Sequence, residues 1–118
     1  MKNIYFLLLL SNISFSQISE NEINKIAREM SENLSNTKII NSEITINRIY
    51  SLKRDIISVY DVPEDINLSE IEVKKERIEQ LKAFGGDFFY KNKINLVLWF
   101  MKKNIMYKNV RINYFELK

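Results

Sequence analysis

The sequence predicts an α+β domain with one four-stranded antiparallel sheet and two helices packed on one of its faces. Two observations lead to this fold class. Two segments have the apolar spacing of amphipathic helices, and each is followed by two short segments in which apolar and polar residues alternate. The element order is therefore α-β-β-α-β-β. A chain of 118 residues has room for one domain, which we assign to residues 17–118.

Residues 1–16 are predicted to be a signal peptide that is cleaved on export. Lys2 supplies a positive charge, residues 4–10 form an apolar run, and small residues at 14 and 16 precede a cut at Gln17. The run is too short for a membrane-spanning helix, which needs about 20 apolar residues. An uncleaved anchor and a buried strand are the alternatives. The prediction implies a secreted or periplasmic protein with no transmembrane segment in its mature chain.

Each predicted helix begins with a capping box, in which a serine and a glutamate three residues later satisfy each other's backbone amides. Ser19 starts a helix over residues 20–35, and Ser69 starts one over residues 69–84. The only two glycines, Gly85-Gly86, follow the second helix, where a C-terminal cap favours a left-handed residue. One apolar stripe runs along the first helix at Ile23, Ile26, Ala27, Met30 and Leu34.

Both helices are followed by a predicted hairpin. Residues 39–62 lack helical periodicity, alternate in polarity and are divided by a polar turn at residues 53–55. Residues 94–101 and 110–117 form the second pair of strands, joined through residues 102–104.

The two αββ units match at a constant offset of 50 residues, as in Ser19/Ser69 and Lys53/Lys103. A duplicated αββ unit resembles the layout of β-lactamase-inhibitor-type proteins. This resemblance is one of topology alone, and topology does not determine function.

The composition excludes several kinds of chemistry. The chain has no Cys and no His, so thiol nucleophiles, disulfides, imidazole bases and His- or Cys-ligated metals are ruled out. No phosphate-binding loop or hydrolase motif is present, and we expect no cofactor, no metal and no enzymatic activity. Asp61, Glu64 and Asp65 surround Pro63 and could form a carboxylate hydrolase site or bind a hard cation. The favoured interpretation is that they keep a loop solvated and stabilise the start of a nearby helix.

The candidate site is a sheet face around Trp99. Residues 94–101 are apolar at both even and odd positions, so both faces of this strand should be covered. Two helices can cover only one face of four strands. We therefore predict that the other face binds a protein partner or a second copy of the chain, with Trp99 as the anchor. Met101 and Phe115 would be apolar neighbours, and Arg111 would orient the partner.

Two alternatives for this face remain open. Residues 86–93 or a chain terminus could fold over it, or Trp99 could point inward. By simple alternation, the other residues expected on this face are Thr45, Asn47, Ile49 and Asn113.

The charge is unevenly distributed. Residues 17–90 carry 10 basic and 14 acidic residues, a net of −4, whereas residues 91–118 carry 7 basic and 1 acidic, a net of +6. A basic segment that also contains Tyr and Trp would suit an anionic glycan or lipid, and export makes nucleic acid the least expected partner. The alternative is intramolecular charge balance with lysines that protect a sheet edge.

A second functional hypothesis is a carrier that holds a small apolar or anionic ligand between the sheet and the helices.

Overall fold

The computed structural model describes residues 17–39 and 42–118, so the predicted signal peptide lies outside the described residues. The α+β class is confirmed. The described residues form three helices, four strands and a terminal 3₁₀ helix. In chain order these are α1 (Glu20–Leu34), β1 (Thr45–Leu52), β2 (Asp55–Asp61), α2 (Glu70–Ala83), α3 (Gly86–Lys91), β3 (Asn95–Lys102), β4 (Ile105–Ile112) and the 3₁₀ helix Tyr114–Leu117.

The sheet is mixed, with the strand order β1-β2-β3-β4. The outer pairs β1/β2 and β3/β4 are antiparallel, but the central pair β2/β3 is parallel. The prediction of a purely antiparallel sheet is therefore wrong. The connection through α2 and α3 returns the chain to the end of the sheet where β2 begins, so Asn95 pairs with Asp55. Alternating polarity indicates which side chains are buried, but it carries no information on strand direction.

The two long helices begin where the capping boxes predict. The side chains of Ser19 and Ser69 accept hydrogen bonds from the backbone amides of Glu22 and Glu72. At the end of α2, Gly85 has the left-handed φ of 88° expected there. The next residue, Gly86, opens the short helix α3, which the sequence does not predict.

Both hairpin turns use left-handed residues other than glycine. Lys53 has a φ of 55°, and Lys103 and Asn104 have φ values of 49° and 63°. Because Lys103 and Asn104 form a two-residue turn, β4 begins at Ile105 and ends at Ile112. The predicted strand over 110–117 is therefore placed too late. A bulge opposite Phe100 and Met101 hides the alternation in the first half of β4.

The core lies between the helices and one face of the sheet. A single apolar cluster contains residues of α1, α3 and all four strands, and α2 packs partly buried residues against it. Both long helices therefore cover the same face, as predicted. The largest fully buried side chains are Ile23, Ile56, Ile94, Leu98 and Ile112.

The two αββ units have equal spacing but opposite hands. Their strands begin at 45 and 95 and at 55 and 105, a constant offset of 50 residues. Consider a view from the helices in which β1 points up and β2 lies to its right. When this view is rotated in the plane of the sheet until β3 points up, β4 lies to the left of β3. No rotation superimposes the units, because β2 and β3 are parallel. The predicted duplication is thus one of element order, without rotational symmetry.

The first described residues are fixed to the domain. Ile18 is 5 % exposed, and its backbone amide donates to Asn92 Oδ1 at 2.9 Å. The guanidinium of Arg54 donates to the carbonyls of Ile18 and Asn92 at 2.9 and 2.6 Å. Ile18 is thus packed into the domain, directly after the predicted cleavage position.

Candidate functional site

One face of the sheet points away from the helices, and we call it the open face. Its apolar residues form a cluster separate from the core. Within residues 17–39 and 42–118, every member of this cluster belongs to a strand and none to a helix. The members are Tyr50, Ile57, Val59, Val97, Trp99 and Met101.

The register of β3 places Trp99 near the centre of the open face. Trp99 pairs with Val59 on one side and with Asn109 on the other. Its even-numbered neighbours Leu98 and Phe100 are buried in the core, so the odd-numbered side chains project to the opposite face. The structure thus places Trp99 and Met101 together on the side facing away from the helices.

Residues 86–93, the segment considered as a cover for this face, lie elsewhere. Most of them form α3, which packs against α2 and the terminal 3₁₀ helix. Phe89 and Leu117 belong to the core cluster on the helical side. Trp99 does not point inward either, since it belongs to the open-face cluster.

The larger side chains of Tyr50, Trp99 and Met101 pack against three buried aliphatic ones on this face. Ile57, Val59 and Val97 are at most 6 % exposed, whereas Trp99 and Tyr50 are half-buried. The two aromatic rings meet edge to face with centroids 6.0 Å apart. The open face is therefore an ordered apolar surface with a partly exposed aromatic pair on top.

Basic side chains flank the aromatic pair. The guanidinium of Arg48 lies 5.2 Å from the centre of the Tyr50 ring, within cation–π range. Arg111 forms two hydrogen bonds with the carboxylate of Asp55, at 3.0 and 3.1 Å, at one end of the face. The predicted polar residue Arg111 is thus at the edge of the open face, but its guanidinium is already paired.

The carboxylate of Asp55 joins three strands at this end of the face. It accepts hydrogen bonds from Asn95 on β3 and from Arg111 on β4. Burial by itself would raise the pKa of Asp55, but the hydrogen bonds from Arg111 and Asn95 and the charge of Arg111 outweigh burial and hold this pKa below its usual value. The group is therefore an ionised structural contact at neutral pH.

A β-bulge in β1 changes which residues reach the open face. The pairing of β1 with β2 shifts between Ile46 and Arg48. After the shift, Ile49 is buried in the core and Tyr50 joins the open-face cluster. The prediction that Ile49 lies on this face is wrong. Arg48 and Tyr50 are the site residues that simple alternation misses, and no residue in this stretch signals the bulge.

Phe115 is not part of the predicted strand. β4 ends at Ile112, and a capping box between Asn113 and Glu116 starts a 3₁₀ helix that contains Phe115. The ring is 61 % exposed and contacts Tyr114 edge to face at 5.6 Å. Phe115 therefore lies outside the open-face cluster, and its predicted position beside Trp99 is wrong.

Two of the three acidic residues around Pro63 have side-chain partners. Asp61 accepts a hydrogen bond from Asn47 at 2.9 Å, and Glu64 lies 3.9 Å from the ammonium of Lys103. Among the residues that the structure describes, no three acidic groups come together as a metal site.

Two basic residues of the C-terminal segment pair with carboxylates of the preceding part of the chain. These pairs are Lys103 with Glu64 and Arg111 with Asp55. Lys102 and Lys108 both lie over the ring of Tyr107, at 4.0 and 5.3 Å from its centre. The basic segment is thus partly balanced within the molecule.

No protein-family model matches this sequence, and no curated protein does. Among solved structures, the chain is similar to a "putative secreted protein" of Pseudomonas aeruginosa, with a TM-score of 0.66 and 13 % sequence identity. The similarity covers 87 % of this chain and 99 % of that chain. At this identity the similarity supports the fold alone, and function has to be argued from the site. In the described part of the chain, no helix has the length and apolar content needed to cross a membrane.

Proposed function

We propose that this protein is a small exported interaction protein that binds a protein partner through the open face and has no catalytic role. One observation carries the proposal. An apolar cluster centred on Trp99 lies on a sheet face that no described helix covers. Trp, Tyr and Arg are the residues most often found at energetic hot spots of interfaces, and Met adapts to varied surfaces. All four types are present here, in Trp99, Tyr50, Arg48 and Met101.

The open face is smaller than the interface of an obligate dimer of this chain would have to be. Strands about 4.8 Å apart, rising about 3.3 Å per residue, give the face an area on the order of 300–400 Å². A specific complex buries about 800 Å² per partner, and obligate homodimers bury more than about 2,000 Å² in total. The open face can therefore form the centre of a modest interface whose rim includes Arg48 and Arg111.

Export is part of the proposal and rests on two observations. Residues 1–16 have the sequence pattern of a signal peptide, and Ile18 is held by Asn92 and Arg54 directly after the predicted cut. The structural neighbour from Pseudomonas aeruginosa is described as putatively secreted, which agrees with this assignment.

Processing can be tested by intact mass and N-terminal sequencing of the protein recovered from the medium or periplasm. We expect a chain that begins at Gln17. A chain that still begins at Met1 would contradict export by a cleaved signal. A chain that begins after Ile18 would contradict the structural role of that residue.

The binding proposal can be tested with Trp99→Ala, compared with Ile71→Ala. Ile71 is 82 % exposed on α2, on the other side of the molecule, and controls for the loss of any exposed apolar group. Because Trp99 is half-buried, we expect its truncation to lower the free energy of unfolding by about 1–2 kcal/mol, less than the 3–5 kcal/mol of a fully buried Trp.

Both variants would be used as bait in envelope extract, and their thermal unfolding measured in parallel. We expect Trp99→Ala to lose a partner that wild type and Ile71→Ala retain. Unchanged capture by Trp99→Ala would refute the proposal. So would collapse of the fold, because Trp99 would then be a core residue.

A further inference from the structure

A groove lies on the helical side of the molecule, opposite the open face. It runs between the segment that precedes β1 and the side of α2, and its volume is about 300 Å³. This is the lower end of the range for small-molecule sites. The apolar part of its lining comes from Ile39, Ile44, Leu68, Val73 and Phe100.

The groove has one cationic side chain among its lining residues. The guanidinium of Arg77 donates a hydrogen bond to the hydroxyl of Tyr60 at 3.3 Å. Among the residues that the structure describes, Arg77 forms no ion pair. An arginine has five N–H donors and is rarely half-buried without an acidic partner. Arg77 therefore has donors left for an anion in the groove.

Tyr60 contacts both Phe100, which forms the floor of the groove, and the guanidinium of Arg77. The ring of Tyr60 stacks on the ring of Phe100 with centroids 4.9 Å apart. Phe100 is 3 % exposed and lines the groove, while the Tyr60 hydroxyl holds Arg77 above this pair. A ligand whose hydrocarbon chain packs on Phe100 would thus have its end near the guanidinium of Arg77.

We propose that this groove binds a small aliphatic monocarboxylate. The chain would lie against Phe100, Ile44 and Val73, and the carboxylate would accept hydrogen bonds from Arg77. Gln80, also in the lining, offers an amide donor. Glu76 lines the same groove with the opposite charge, which disfavours ligands that carry two or more negative charges. This site is independent of the open face, on the other side of the sheet.

The test uses octanoate as the probe, titrated into the mature protein and followed by NMR. For a ligand of this size we expect saturable binding with a Kd of about 0.1–1 mM, with the largest shifts at Val73 and Phe100. Arg77→Gln keeps a polar side chain with an amide donor but removes the charge, and we expect it to weaken octanoate binding about tenfold or more. Glu76→Gln should strengthen binding, because it removes a like charge.

The matched control is Lys75→Gln, which makes the same charge change on the same helix at an exposed residue outside the groove lining. It should alter the Kd by less than about twofold. Octan-1-ol should bind wild type and Arg77→Gln equally. The proposal is overturned if octanoate gives no saturable shift up to about 10 mM, if Arg77→Gln binds as wild type does, or if the shifts map to Trp99 and Tyr50. None of these results depends on the protein partner of the open face.

Discussion

Asp55 joins strands β2, β3 and β4 at one end of the open face through its bonds to Asn95 and Arg111. Because its pKa is lowered in the folded state, the unfolded chain takes up a proton first as the pH falls. Its contribution to stability is therefore fully present above the unfolded pKa of about 4 and is lost as the pH falls through the lower folded value.

The variant Asp55→Asn tests this contact. We expect it to lower the free energy of unfolding by about 1 kcal/mol at pH 7, since it removes a charged partner of Arg111. The difference between wild type and variant should shrink when urea unfolding is repeated near pH 3. An equal difference at both pH values would mean that the ionised carboxylate is not what stabilises this end of the sheet.

At the scale of elements, the link between α2 and α3 depends on two adjacent glycines with different requirements. Gly85 is left-handed, whereas a Cβ on Gly86 would lie 2.5 Å from the carbonyl oxygen of Leu81. We expect Gly86→Ala to destabilise the protein by about 1–3 kcal/mol through this clash with backbone. Gly85→Ala, the matched control, should cost about 1 kcal/mol for its positive φ. Thermal unfolding of both variants measures these losses of stability. A Gly86→Ala protein as stable as wild type would contradict the close approach of Gly86 to the carbonyl of Leu81.

The elements that the sequence predicts well are those with local signals. Helices α1 and α2 have a serine N-cap at their starts, α2 also has a glycine stop, and Trp99 follows from the two-residue period of β3. The bulge that buries Ile49 and the bulge in the first half of β4 depend on pairing with another strand, so no local pattern reveals them.

The ion pair of Arg111 with Asp55 joins residues 56 positions apart, and the parallel central pair depends on a crossover. The ion pair and the parallel strand pair are both contacts between residues far apart in the sequence, and the periodicity of one sequence does not reveal such contacts. For the same reason Arg48 and Tyr50 are found only in the structure, although Trp99 and Met101 are found in the sequence.

For the whole molecule, the sheet separates two surfaces of different chemistry. The helical side contains the core and the groove beside Arg77, while the open face presents Trp99, Tyr50 and Met101. Because both long helices lie on one side, no helix within residues 17–39 and 42–118 covers the open face. This asymmetry is the reason that we assign a binding function to the face.

The most direct measurement of that assignment is photo-crosslinking from the open face itself. A photoreactive phenylalanine analogue would replace Trp99 in one sample and Ile71, on the opposite side, in another. After irradiation in envelope extract, we expect a discrete higher-mass adduct from position 99 that contains a second, different protein, and none from position 71. An adduct of two copies of this chain would contradict the proposed partner. Equal crosslinking from both positions, or none from position 99, would contradict a binding role for the open face.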